Sequence, residues 1–134
     1  MDMKKEFVPY EQSLELKELG FNELCASYFA EKTLMSTIRA VRQDFFILQD
    51  FLAAPLYQQA FRFFREKYNF HYSIGVTNIC VYHIPVDNYH TTFMIQDSKT
   101  YQESELECIN KFIAHAKQIN KNEKKTITNY RKEK

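Results

Sequence analysis

The sequence predicts an α+β domain: an antiparallel sheet of three to five strands with helices packed mainly on one face. Three stretches carry that expectation. In residues 54–68, Leu56, Tyr57, Ala60, Phe61, Phe63, Phe64 and Tyr68 fall within one arc of roughly 160° at about 100° per residue, opposite Gln58, Gln59, Arg62, Arg65 and Glu66. Across residues 70–96 the period changes to two, in three apolar runs separated by polar turns. At Thr100 and Glu103 a T-x-x-E capping box opens a second amphipathic helix.

Taken in order, residues 7–21 read as a short helix, with Pro9 in its first turn and Gly20 in the left-handed position past its end. That ending makes Leu16 and Phe21 the touching pair of a Schellman motif. Tyr10, Leu14, Leu16 and Leu19 share no single face, so this helix is expected at an edge, with neighbours on two sides. Residues 24–29 read as a strand. Residues 33–53 are the hardest to read. Leu34, Ser36 and Ile38 hint at alternation, whereas 45–48 suits a buried strand or a helix continuing through Phe51 and Leu52.

Pro55 suits the first position of the central helix, where its missing N–H costs nothing. After that helix Phe70, Tyr72 and Ile74 alternate with His71 and Ser73. Residues 79–86 and 90–96 are rich in β-formers, and Pro85 puts the end of the former at an edge or bulge. With a hairpin connection at 75–78 and a polar turn at Asp87 and Asn88, residues 70–96 should form a three-stranded antiparallel meander. In the last helix Leu106, Ile109, Phe112, Ile113, Ala116 and Ile119 form a core-facing stripe that ends near Asn120. One domain is therefore expected over residues 1–120. Residues 121–134 form a basic C-terminal tail, mobile or a frayed helical extension, with too few apolar groups to offset its ordering entropy.

Hydrophobic residues make up 45% of the 134 and charged residues 26%, the balance of a globular chain with one core. From Lys117 onward seven Lys or Arg face two Glu, whereas the rest carries eleven basic and fifteen acidic residues. A mildly acidic body with a basic tail is not the pattern of a dedicated nucleic-acid domain. No run of about 18 apolar residues occurs, and no apolar stretch follows the first lysines, so neither a membrane span nor a secretory signal is expected. Cys25, Cys80 and Cys108 are odd in number and not closely spaced, which fits reduced thiols in a cytoplasm.

Candidate chemistry is sparse. Cys80, His83, His90 and His71 come from adjacent strands, but zinc needs converging ligands, and a spacing of three sends Cys80 and His83 to opposite faces. No metal or other cofactor is expected, and no thiol is marked as a nucleophile. Glu105 lies inside the last helix's apolar arc, as a poised acid or base in a cleft or as a first-turn acid favoured by the helix dipole. Lys67, on the apolar side of the central helix, is expected to snorkel. Tyr72, Tyr82, Tyr89 and His71, with the basic tail, are the raw material for stacking single-stranded bases, although sheet tyrosines usually pack against neighbours. With two glycines in the chain, no phosphate-cradling loop can be hidden.

Residues 7–21 (FVPYEQSLELKELGF), 54–68 (APLYQQAFRFFREKY) and 101–106 (YQESEL) resemble, in that order, a family of small uncharacterised proteins of bacteriophage and bacterial genomes, often those of gut Bacteroidetes. Members often carry Trp where this chain has Tyr57 or Phe63. The resemblance implies a mobile-element origin and brings no activity, cofactor or catalytic residue. The expected function is that of a small cytoplasmic, non-enzymatic factor acting through protein contacts or self-association, which needs only an exposed apolar patch and an uncovered strand edge. Single-stranded nucleic-acid binding is the alternative, and an enzyme with an unrecognised site the second.

Overall fold

The structure, a computed structural model, describes residues 6–46, 51–86 and 89–132. The chain runs α1 (Tyr10–Glu18), β1 (Cys25–Ala30), β2 (Thr33–Val41), a 3-10 turn (Gln43–Phe46), β3 (Phe51–Ala54), α2 (Tyr57–Tyr68), β4 (His71–Ile74), β5 (Cys80–Val86), β6 (Tyr89–Ile95) and α3 (Tyr101–Lys132). The fold is α+β. Its six described strands form two antiparallel three-stranded sheets rather than one, ordered β2-β1-β3 and β4-β5-β6. The second is the meander expected from the alternation in residues 70–96.

Helix α1 closes as its glycine requires. Gly20 has φ 99°, the Phe21 N–H donates to the Leu16 carbonyl at 2.9 Å, and the Gly20 N–H to Lys17 at 3.0 Å. Leu16 and Leu19 enter the main core while Tyr10 packs beside Phe29, Leu52 and Ala54, so α1 does touch two sides. Lys67 snorkels: its ammonium lies 5.5 Å from the ring centres of Phe63 and Tyr68 and donates to the Leu19 carbonyl, one of the groups α1 leaves open.

The first sheet departs from the sequence reading. β1 and β2 form a hairpin whose two-residue loop puts Glu31 and Lys32 at φ 49° and 73°, both left-handed, without Asn or Gly to announce it. Phe51–Ala54 is a strand, not a continuation of helix, because it pairs with β1 from Ser27↔Ala54 to Ala30↔Phe51. The run 45–48 lies partly outside the described residues, as do Asp87 and Asn88 of the polar turn. The other edge of β3 is met by a side chain: Gln43 donates to the Phe51 carbonyl at 3.1 Å and accepts from the Ala53 N–H at 2.7 Å.

Helix α2 begins at Tyr57 with Leu56 as its N-cap, so Pro55 stands just ahead of the helix instead of at its first position. Its apolar arc is buried as the periodicity requires, with Tyr57, Ala60, Phe61, Phe63 and Phe64 all inside. Helix α3 starts at the capping box: Thr100 Oγ1 accepts from the Glu103 N–H at 3.1 Å, while the Glu103 carboxylate reaches back to the Lys99 N–H at 2.8 Å. It continues past Asn120 to Lys132, so residues 121–132 take the helical one of the two forms the sequence allows. Phe112 of α3 is the meeting point of the core, with Phe61, Phe64, Phe70 and Tyr82 ringed around it at 5.2–5.9 Å between centroids.

Candidate functional site

A cavity of about 290 Å³ opens where the first turns of α2 and α3 meet β4 and the segment before α1. Tyr57 and Gln58 come from α2, Tyr72 from β4, Tyr101, Gln102 and Glu105 from α3, with Glu6 and Leu56 at the rim. Each ring is placed by the period of its own element. Tyr57 stands one turn before Phe61, and Tyr72 points inward from the alternating strand and stacks on Phe61 at 3.8 Å between centroids. Burial, then the nearby Glu105 carboxylate, pushes the Tyr57 hydroxyl up to about 12, and burial does the same for Tyr72.

Glu105 is the chemically distinctive group. Burial, then the charge of Glu6, pushes its carboxyl up to about 7. Glu105 is the fifth residue of α3, one turn in from the N-terminus, and the burial that raises it opposes the helix dipole, which alone would lower it. Among the described residues the Glu105 carboxylate forms neither an ion pair nor a hydrogen bond. Among the described residues the wall carries no Lys, Arg or His. Close to Tyr72 lie Cys80 and Cys108, free thiols that are both fully buried. Their mutual interaction lowers Cys80 and raises Cys108, but burial keeps both from acting as exposed nucleophiles.

The structure therefore unites Tyr72 and Glu105 and separates the other three residues singled out from sequence. Tyr82 is 3% exposed, stacked on Phe93 at 5.1 Å and edge-on to Phe112, so it is a core ring and no platform for a base. His71 lies on the outer face of the meander opposite His83, 6.4 Å from the His90 ring. Tyr89 stands 79% exposed at the end of the β5–β6 hairpin. Cys80 faces inward and His83 outward, and among the described residues no three His, Cys, Asp or Glu side chains converge on a metal position. Glu6, Tyr57 and Tyr101 were not read as site residues. The one available signal was a hydroxyl on the apolar arc of α2, since a buried tyrosine needs a partner for it.

A second feature is the free edge of β6. The other outer strands are guarded. β2 carries a register jump, β3 is met by Gln43, and β4 is only four residues long. β6 (YHTTFMI) runs seven residues with no Lys, Arg, Asp, Glu, Pro or Gly, and its first four residues are exposed. Beside it a cleft of about 480 Å³ is lined by residues 94–98 and by Glu103, Glu107 and Lys111 of α3. No helix among the described residues is long and apolar enough to cross a membrane. No protein-family model, no curated protein and no solved structure matches the chain.

Proposed function

We propose that this is a non-enzymatic cytoplasmic protein that works through protein contacts, made by strand addition at β6. The observation that carries the reading is the unguarded β6 edge, because a row of open N–H and C=O groups without charge or proline templates another strand. The mobile-element origin implied by the resemblance suits an accessory factor of this kind.

A second copy of the chain is the occupant that fits. Antiparallel β6 strands centred on Thr92 put Thr92 against Thr92, His90 against Met94 and Tyr89 against Ile95, with no like charges opposed. Tyr89 pairs with Val86 and so shares the inward parity of Ile84 and Tyr82. In that register its exposed ring enters the other copy's cleft beside Ile95. Val86 and Met94, also exposed, come under cover at the same time. The two meanders then become one six-stranded sheet with a two-fold axis.

Sedimentation equilibrium tests this with Thr92→Lys, which sets two ammonium groups opposite each other on the axis. The expected result is a wild-type dimer and a monomeric variant with an unchanged far-ultraviolet spectrum. A wild-type monomer, or a variant that dimerises as tightly, refutes strand addition by a second copy. A wild-type monomer that gains mass only with an added extended peptide would reassign the edge to a different partner.

A further inference from the structure

We propose that the cavity between α2, α3 and β4 binds a primary ammonium group, carried by a small amine or by a lysine side chain. The described lining is anionic and aromatic: the carboxyls of Glu6 and Glu105 and the rings of Tyr57, Tyr72 and Tyr101, with no basic residue among the described ones. Aromatic faces and carboxylates both favour a cation, and their oxygens give the three N–H donors of an ammonium acceptors to meet. Among the described residues, Glu105 is a partly buried acid beside a second acid, with no countercharge in reach. The walls leave a volume of about 290 Å³ for that countercharge to occupy.

A guanidinium is a poorer match, since its planar fork wants one carboxylate face-on. Here the acids come from separate elements, Glu6 before α1 and Glu105 inside α3. A quaternary ammonium would use the rings but leave both carboxylates without donors. The site is independent of the β6 edge and stands whether or not the chain dimerises.

Binding is linked to the protonation of Glu105. Facing it are Glu6 from the segment before α1, Tyr57 from α2, Tyr72 from β4, and Tyr101 and Cys108 from α3 itself. None of these adds positive charge, and the tyrosines titrate above the range in question. An ammonium favours the carboxylate form, so affinity rises as pH rises through about 7 and then levels off until the amine itself loses its proton. Each pKa unit by which the cation pulls Glu105 down is worth about tenfold in affinity between the two protonation states.

The test is titration calorimetry on the full chain with n-butylammonium, tetramethylammonium and a capped lysine amide, at about pH 5 and about pH 8.5 in buffers of different ionisation heat. The expected result is n-butylammonium binding that is about tenfold or more tighter at the higher pH, with proton release near neutrality and weaker binding of tetramethylammonium. Glu105→Gln keeps the size of the side chain and should remove both the proton release and the pH dependence. Its fold is checked by near-ultraviolet circular dichroism, and Tyr101→Phe, at a more exposed ring, serves as a second variant with weakened binding. Binding of the lysine amide alone assigns the ammonium to a partner's side chain, and of n-butylammonium alone to a free amine. No heat with either amine at the higher pH, equal binding by folded Glu105→Gln, or tetramethylammonium binding as tightly as n-butylammonium overturns the proposal.

Discussion

Phe64 shows what a single residue contributes to this core. It is fully buried, and its ring meets those of Phe63, Tyr68, Phe70 and Phe112 within 6.1 Å. Phe64→Ala should cost about 3–5 kcal/mol, a large share of a typical stability of about 5–15 kcal/mol, read as a lowered denaturation midpoint. A second residue-scale effect depends on pH. Glu105 is raised from 4.5 to about 7, so between those values the folded protein holds a proton that the unfolded chain has released. Stability falls as pH rises across that window and stays lower above it. After discounting for partial exposure the loss is on the order of 1 kcal/mol, and Glu105→Gln should abolish it. His115, lowered by burial and then by Lys111, acts in the opposite sense: its contribution is lost as pH falls through about 6.5. The difference between the Glu105→Gln and wild-type curves therefore isolates the glutamate.

At the scale of elements, the β1–β2 hairpin carries an avoidable cost. Glu31 and Lys32 both occupy left-handed backbone that side chains with a Cβ resist, in a two-residue loop that usually holds Asn-Gly. Replacing them by Asn and Gly should raise stability by about 1 kcal/mol, less what is lost as the Lys32 ammonium leaves its place 5.7 Å from the Tyr10 ring. Chemical denaturation measures the sum. The same hairpin shows why the first sheet was hard to read. Helices α2 and α3, the end of α1 and the meander each carry their signal locally, in a period, a cap or a glycine. Phe51–Ala54 is four apolar residues whose strand state is decided by β1, at least 21 positions earlier, and no local pattern records that. The cavity was legible in part for the same reason. The position of Glu105 on the apolar arc is a local fact. Its meeting with Tyr57, Tyr72 and Glu6 is set by packing between elements.

Across the whole molecule, the division into two sheets sets the order of assembly in time. The meander closes by short hairpins, and α2 and α3 flank it directly in the chain. β3 must instead find β1 across 21 to 27 positions, and the entropy of closing that loop comes due before any contact repays it. The rate-limiting ensemble is expected to contain the β4–β5–β6 meander, whose paired residues lie at most 15 positions apart, with the first sheet still unpaired. Stopped-flow chevrons separate the two halves. Ile84→Val, in the inward row of β5, should mainly slow refolding, whereas Leu52→Ala, buried beside Phe29 and Ala54, should mainly quicken unfolding. A half-life set in this way is lengthened by strengthening the β1–β3 seam. Further strengthening of the meander would only make the chain fold faster.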